Sequence, residues 1–574
     1  MDKWERLNFI AFILGAIALF AERASPSLVI AITVHILDFS ILALLLWSAI
    51  GEIANAKYRW NYIRTHWASL LFLVAFTGLL LFAKFLAFFV SAADTISALA
   101  VMLRNIFLVL KVFGRMRRLF KFFQRLSAKP AQTVLISFLL VILSGALGLM
   151  LPASTVDGNG LRVIDALFTA TSAVCVTGLI VVDTALALTR TGQFIILVLI
   201  QIGGLGIMLF SFFVMIALHK RLSLQDRLTV SYMLSEDDML GLSRSVRTIV
   251  LSTLSIELAG AIALCSRFLS LGDSLPDAAF KGLFHAVSAF CNAGFALYSD
   301  SLESFRHDPV VTLAIAFLII LGGISFGVIN DLKAWALSII KGRTRGSWRV
   351  HRISGLNSRV VLSLTAILIF TGFCGFYLLE HRWVMASYDL GEQYLAAFFQ
   401  SVTLRTAGFN SVSFSQLRDG TLLFMIAFMF IGGASGSTAG GIKINSLAAM
   451  LSYFIAFIRQ DKTPKIGRYS VSAEKIGRAF LILFFGFSVV FLGTFILSLT
   501  EDLPFLSLLF EATSAFGTVG LSTGITPSLT GIGKSLIICL MFIGRLGPLT
   551  ILTAASAKYS QGKHEYPAGD LAIG

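Results

Sequence analysis

Charge is scarce in this 574-residue chain: Asp, Glu, Lys and Arg together make up 13 % of it, against 57 % hydrophobic residues and a mean hydropathy of +0.85. So little charge excludes an ordinary soluble globular protein, because apolar runs of about 20 residues recur from end to end and such runs cross bilayers. Cysteine is scarce too. Cys175, Cys265, Cys291, Cys374 and Cys539 are scattered, with no CxxC or Cys/His spacing, which excludes a disulfide framework or a cysteine metal site. There is no P-loop, no HExxH and no paired carboxylates or nucleophile with its base, so neither an enzyme nor a cofactor is expected. The opening MDKWERLN leads into an apolar run with no A-x-A type cleavage site, and no removable signal peptide is expected.

What charge there is leans basic, with a formal net charge of +15. It falls mainly in short loops: Lys57, Arg59 and Arg64; 111–129; Lys220 and Arg221; Lys341 to Arg352; Arg459, Lys462, Lys465 and Arg468. Lys and Arg accumulate on the cytoplasmic side, so these loops and both termini of this multi-pass cell-membrane protein are expected there. The basic excess thus reports topology and contact with anionic lipid, and no nucleic-acid partner is expected.

Hydropathy predicts about twelve spans. Four lie in an additional amino-terminal block, 1–110, followed by a basic connector, 111–130. The other eight form pairs at 131–220, 240–341, 355–459 and 472–560, before a tail at 561–574. Each pair encloses a short segment with Gly and Ser/Thr: LFTATSAVCVTGLI, LFHAVSAFCNAGFA, AFFQSVTLRTAGFN and LFEATSAFGTVGLS. Aligned on Gly178, Gly294, Gly408 and Gly520, these lie 116, 114 and 112 residues apart, each with a phenylalanine ten residues earlier: Phe168, Phe284, Phe398 and Phe510. A second landmark, IGGLG, LGGIS, IGGAS or IGRLG, has its first glycine 24 to 28 residues further on. Two landmarks in register over four copies define a fourfold internal repeat.

Loop charge makes all four repeats parallel, unlike the inverted repeats of many secondary transporters, and puts the glycine segments on the outer side. Each segment is too short to span and ends in an irregular turn, which membrane depth tolerates only where it is buried in protein or lines water. Four such turns about one axis present a ring of carbonyls able to replace the hydration shell of a monovalent cation, and glycine permits the backbone angles required. The negative carboxyl end of each short helix adds attraction. The predicted ion-binding segments are Cys175, Val176, Thr177 and Gly178; Asn292, Ala293 and Gly294; Thr406, Ala407 and Gly408; and Thr518, Val519 and Gly520. The thiols of Cys175 and Cys291 are read as small packing groups. The competing reading, glycines that merely let helices pack closely, does not call for four copies in register.

The second span of the third repeat is interrupted by Gly432, Gly433, Ala434, Ser435, Gly436, Ser437, Thr438, Ala439, Gly440 and Gly441, with Lys443 just beyond. Flanking halves of about eleven residues reach ~16 Å, short of a ~30 Å core, so the break is expected inside the membrane. Arg545 stands where the first two copies have Gly204 and Gly323. A mid-membrane arginine is costly unless paired, and this one is expected to hydrogen-bond the 433–440 loop and oppose cations in a closed state. Arg405 and Glu511 are expected to meet across adjacent repeats as a buried pair bracing the ring.

Together these segments and the Gly-rich break resemble the Trk/Ktr/HKT superfamily of potassium translocation subunits, over about residues 131–560. The resemblance implies an all-α integral membrane fold, in which four parallel span, re-entrant pore loop, span repeats form a pseudo-fourfold potassium-channel-like pore. It implies a selectivity filter at the four glycines, potassium as the transported substrate, and an intramembrane gating loop at the break. In this superfamily serine at the first filter glycine goes with sodium transport, so Gly178 favours potassium. Two partners are implied as well: a second copy, making a homodimer, and a cytosolic nucleotide-binding regulatory ring (TrkA/KtrA-like) on the basic inner face. A symporter coupled to sodium or protons, or a sodium-permeable transporter, is the alternative. Glu257, Asp277, His285 and Glu511 are the obvious titratable groups near the path.

The amino-terminal block lies outside the usual core of the resemblance. Lys111, Arg115, Arg118, Lys121 and Arg125 make a basic helical stripe. An interfacial helix on anionic lipid, with Phe113, Phe120 and Phe123 as apolar contacts, is favoured over a voltage sensor using Arg104 and Lys111 against Asp38 or Asp94.

Overall fold

The computed structural model describes residues 130–206, 242–345 and 355–555, together with 47, 51 and 54. The chain divides into two compact units, 1–126 and 127–574. The four expected amino-terminal spans, the basic stripe and the tail lie outside the described residues.

In the larger unit one order of elements recurs: a long helix, a short helix, a return segment and a second apolar helix. The first set is α1 (Pro130–Leu149), α2 (Val163–Val174) and α3 (Arg190–Leu205). The second is α4 (Leu242–Ser270), α5 (Leu275–Phe290), α6 (Pro309–Gly323) and α7 (Phe326–Arg345). The third is α8 (Leu356–Glu380), α9 (Leu390–Thr403), α10 (Asp419–Met429) and α11 (Ile444–Ile458). A hairpin of β1 (Lys465–Ile466) and β2 (Tyr469–Ser470) leads to the fourth: α12 (Ala473–Thr500), α13 (Phe505–Gly517), α14 (Gly531–Leu546) and α15 (Pro548–Ala555).

The long helices α1, α4, α8 and α12 carry apolar stretches of 18 to 28 residues, enough to cross a bilayer. Much of their surface stays apolar and uncovered, with Phe484 75 % and Phe370 66 % exposed, which suits lipid and not water. Glycines let each long helix approach its partner: a Cβ on Gly145 would lie 2.6 Å from Leu199, and one on Gly260 2.7 Å from Leu318. Side-chain caps start three of the second helices, all but α10. Thr189 accepts the Gly192 N–H at 3.3 Å, Asp308 those of Val310 and Val311 at 3.0 and 3.3 Å, and Thr530 that of Gly533 at 3.3 Å.

The second helix ends or breaks at the second landmark in all four sets, whereas the sequence singled out the third alone. α3 ends before Gly206 at φ 83°, and α14 before Gly547 at φ 80°. α6 and α7 meet at 112°, and fourteen residues separate α10 from α11. Close approach is the reason for glycine there: a Cβ on Gly203, Gly322 or Gly544 would collide with the carbonyl of Val174, Phe290 or Phe516 at the end of the short helix. The same residue weakens the helix that carries it.

Candidate functional site

All four short helices run into turns of one backbone form. Val176, Asn292, Thr406 and Thr518 have φ of 56, 58, 69 and 50°, and Gly178, Gly294, Gly408 and Gly520, two residues on, have φ of 96, 71, 80 and 89°. The residues between them, Thr177, Ala293, Ala407 and Val519, stay outside the left-handed region. Alternating handedness swings successive carbonyls to the same side, whereas an ordinary strand alternates them. Glycine adopts positive φ freely, but a β-branched residue such as Val176 or Thr406 does so at a cost of about 1–3 kcal/mol. Nothing in the sequence marked this second left-handed position.

The turns touch head to tail. A Cβ on Gly178 would lie 2.5 Å from the Ala293 carbonyl oxygen, one on Gly294 2.9 Å from that of Ala407, and one on Gly408 2.7 Å from that of Val519. One on Gly520 would collide with the carbonyl of Thr177, which closes the cycle from the fourth copy to the first.

Hydroxyls behind the turns hold them. Ser172 accepts the Gly178 N–H at 3.0 Å and Ser514 that of Gly520 at 3.1 Å, while Ser288 donates to Phe295 O at 2.8 Å and Thr403 to Phe409 O at 2.6 Å. Sequence reasoning passed over these four, although a Ser or Thr recurs near that place in every aligned segment. The third turn is one residue tighter. Ala407 N–H bonds Thr403 O, four residues back, where Thr177, Ala293 and Val519 reach five residues back. Accordingly Phe399, and not Phe398 at the aligned position, is the fully buried ring of that copy, as Phe168, Phe284 and Phe510 are of theirs.

On one side the four glycines open into a cavity of about 260 Å³ whose wall includes Asp183, Asp300 and Glu303. Glu303 accepts from Asn410 Nδ2 at 2.8 Å. Burial, with Asp300 beside it, holds the Glu303 carboxyl above its usual range despite Arg306 and Asn410.

The 430–443 segment packs against the ends of the short helices. Ile431 and Ile442 form a parallel bridge, and Gly432 N–H donates to Ile442 O at 2.9 Å. Because α6 stops at Gly323, its last carbonyls are free to receive the loop. Ala434 N–H donates to Gly323 O at 3.0 Å, and the Thr438 hydroxyl to Gly322 O at 2.9 Å and Phe290 O at 3.3 Å. Phe326 N–H in turn donates to Gly436 O at 3.3 Å. Lys443 Nζ donates to Ala439 O, and Arg545 reaches Thr438 O through Nη1 and Gly203 O through Nη2.

The Arg405–Glu511 pair is not formed. Glu511 accepts the Ser522 hydroxyl at 2.8 Å and that of Thr526, both from its own return segment, which reach it before any neighbouring copy does. Arg405 is buried, and its Nε and Nη2 have no acceptor among the described residues. His285 is satisfied structurally: Nδ1 lies 2.7 Å from Lys281 O, and Nε2 accepts the Leu297 N–H at 3.2 Å. Asp277 pairs with Arg190, and Glu257 accepts from Gln201 at 3.2 Å and the Cys291 thiol at 3.7 Å. Cys175 and Cys291 are fully buried. Among the described residues no three His, Cys, Asp or Glu side chains converge as metal ligands.

Comparison with known proteins bears on this arrangement. Residues 99–566 match the TrkH family, described as cation transport protein. The Ktr system potassium uptake protein B of Bacillus subtilis is 42 % identical over 448 residues, covering 78 % of this chain and 97 % of the relative. The potassium/sodium uptake protein NtpJ of Enterococcus hirae is 36 % identical over 458 residues, with the same two coverages of 78 % and 97 %. The crystal structure of the potassium transporter TrkH from Vibrio parahaemolyticus shares the fold, with a TM-score of 0.62 at 18 % identity over 86 % of this chain and 98 % of that one. Matches of this extent in sequence establish that the chain belongs to the TrkH family of cation transport proteins, which are multi-pass membrane transporters and not enzymes.

Proposed function

We propose that this chain takes up potassium across the cell membrane through a pseudo-fourfold pore with a selectivity filter at Gly178, Gly294, Gly408 and Gly520. One observation carries the reading: eight left-handed residues, paired in four turns, meet in a closed cycle with each glycine against the carbonyl of the next copy. A cation entering such a ring exchanges its water shell for carbonyl oxygens. The acidic cavity outside raises its local concentration, and the negative ends of the short helices add attraction.

The 432–441 loop acts as the intramembrane gate. Thr438 and Arg545 hold it closed, the charge of Arg545 opposes a cation there, and Lys443 steadies the loop at its end. Glycine at 178, and the naming of the Bacillus relative for potassium uptake, favour potassium. Sodium as a second permeant ion is the competing reading, supported by the Enterococcus relative's name. A second copy of the chain, a cytosolic nucleotide-binding ring and anionic lipid on the basic face complete the working assembly, with the amino-terminal block as an addition to a four-repeat core.

Potassium and sodium flux into proteoliposomes, for the native chain and Gly178→Ser, tests this. Potassium flux should follow its gradient, and the substitution should lower the potassium-to-sodium ratio. Flux blind to the gradient, or a ratio unchanged by the substitution, would overturn the filter.

A further inference from the structure

Three residues before each ring glycine stand Cys175, Cys291, Arg405 and Gly517. Three of these are neutral. Arg405 directly follows Leu404, the C-cap of α9, and so sits where the negative pole of that helix is directed at the ring. It is 6 % exposed, and two of its guanidinium nitrogens find no acceptor among the described residues. The buried carboxylates among the described residues are engaged elsewhere: Glu511 with Ser522 and Thr526, Glu257 with Gln201 and Cys291, Glu380 with Thr421, Glu501 with Thr530 and Asp308 with Arg267. A buried charge without a counter-charge is costly to hold. This one is held beside the proposed cation site.

We infer that Arg405 sets the affinity of the ring: its uncompensated charge takes up the negative end of α9 and weakens cation binding in the third quadrant, making the ring electrostatically lopsided. The inference rests on the filter reading above. Three peptide units span at most ~11 Å, which keeps the Arg405 backbone near the ring. At an effective dielectric of about 20, a unit charge ~10 Å away shifts the binding of a monovalent cation by about tenfold. Such repulsion favours release, and a conducting site must bind weakly enough to let its ion go. In this view Arg405 trades affinity for turnover.

The test is potassium uptake by proteoliposomes as a function of potassium concentration, for the native chain, Arg405→Gln and Arg405→Lys, with Gly178→Ser in parallel for ion selectivity. Arg405→Gln should lower the half-saturating potassium concentration about tenfold and slow the maximal rate. Arg405→Lys, which keeps the charge, should retain the native half-saturation. If Gly178→Ser discriminates potassium from sodium as the native chain does, the filter reading falls and takes this inference with it. If Gly178→Ser loses discrimination while both Arg405 variants keep the native half-saturation, only the inference falls. Arg405→Met, which leaves no polar group to satisfy, replaces Arg405→Gln should the latter fail to elute as a folded species. Failure of both neutral variants to fold would make the charge a structural requirement and overturn the inference.

Discussion

Glu303 lies on the wall of the cavity onto which the four ring glycines open. Its carboxyl is held above the usual range, chiefly by burial and then by Asp300, so it takes up a proton at a higher pH than an ordinary glutamate. As pH falls through that raised value the cavity loses negative charge and attracts cations less. Uptake at low potassium should therefore decline as the pH on the cavity side falls, beginning above the range near 4 where ordinary carboxylates titrate. Glu303→Gln should start from a lower rate and respond less, and equal pH profiles for the two would exclude Glu303 as the cause. The ring glycines were legible in the sequence, because no other residue accepts both positive φ and a neighbour's carbonyl where a Cβ belongs. Val176 and Thr406 were not, since β-branched residues ordinarily avoid positive φ and are held there by their surroundings. Arg405 and Glu511 misled for a related reason: opposite charges at matching places suggest a pair, but local hydroxyls satisfied the carboxylate first.

Among the elements, the loop between α10 and α11 depends on contacts that other breaks make available. The hydroxyl of Thr438 donates to the carbonyl ends of α6 and α5, at 2.9 and 3.3 Å. A hydrogen bond of this kind contributes about 1 kcal/mol net, so its loss should make an open loop about fivefold more populated. Thr438→Ala should accordingly raise resting potassium flux about fivefold without altering ion selectivity, and unchanged resting flux would remove Thr438 from the latch. The repeat, the long helices and the third break were legible because each is a matter of spacing and length. The helix ends at the other three landmarks were hidden, since the Gly-Gly pairs of the first two copies read equally well as close helix packing and the fourth has Arg545 in place of the second glycine. The tighter third turn was hidden too, since a one-residue shift at a helix end leaves the aligned glycine in place.

At the scale of the molecule, polar side-chain pairs tie one copy to the next around the ring. Arg190 with Asp277 joins the first to the second, His307 with Glu392 at 2.9 Å the second to the third, and Lys534 with Asp165 at 2.8 Å the fourth to the first. Among the described residues no ion pair joins the third to the fourth. Asp165 and Lys534 are only 16 and 14 % exposed, so Asp165→Asn should cost about 1–3 kcal/mol, between a surface pair and a fully buried one. A melting temperature lower by a few degrees in detergent, partly restored by exchanging the two charges, would show it, and an unchanged melting temperature would mean the closing seam holds without them. That the protein is a polytopic membrane helical bundle was plain from hydropathy, but which residues seal the seams was not, because partners so far apart in the chain leave no spacing to read. This closure also puts assembly on a clock. Asp165 precedes Lys534 by 369 residues, which a ribosome adding roughly 5–20 residues per second takes roughly 20–70 s to cover. Until the fourth copy is made, the first turn lacks the neighbour that packs against it. A nascent chain stalled before its fourth repeat would be an open arc, with the Thr177 carbonyl bare of the Gly520 turn that closes on it.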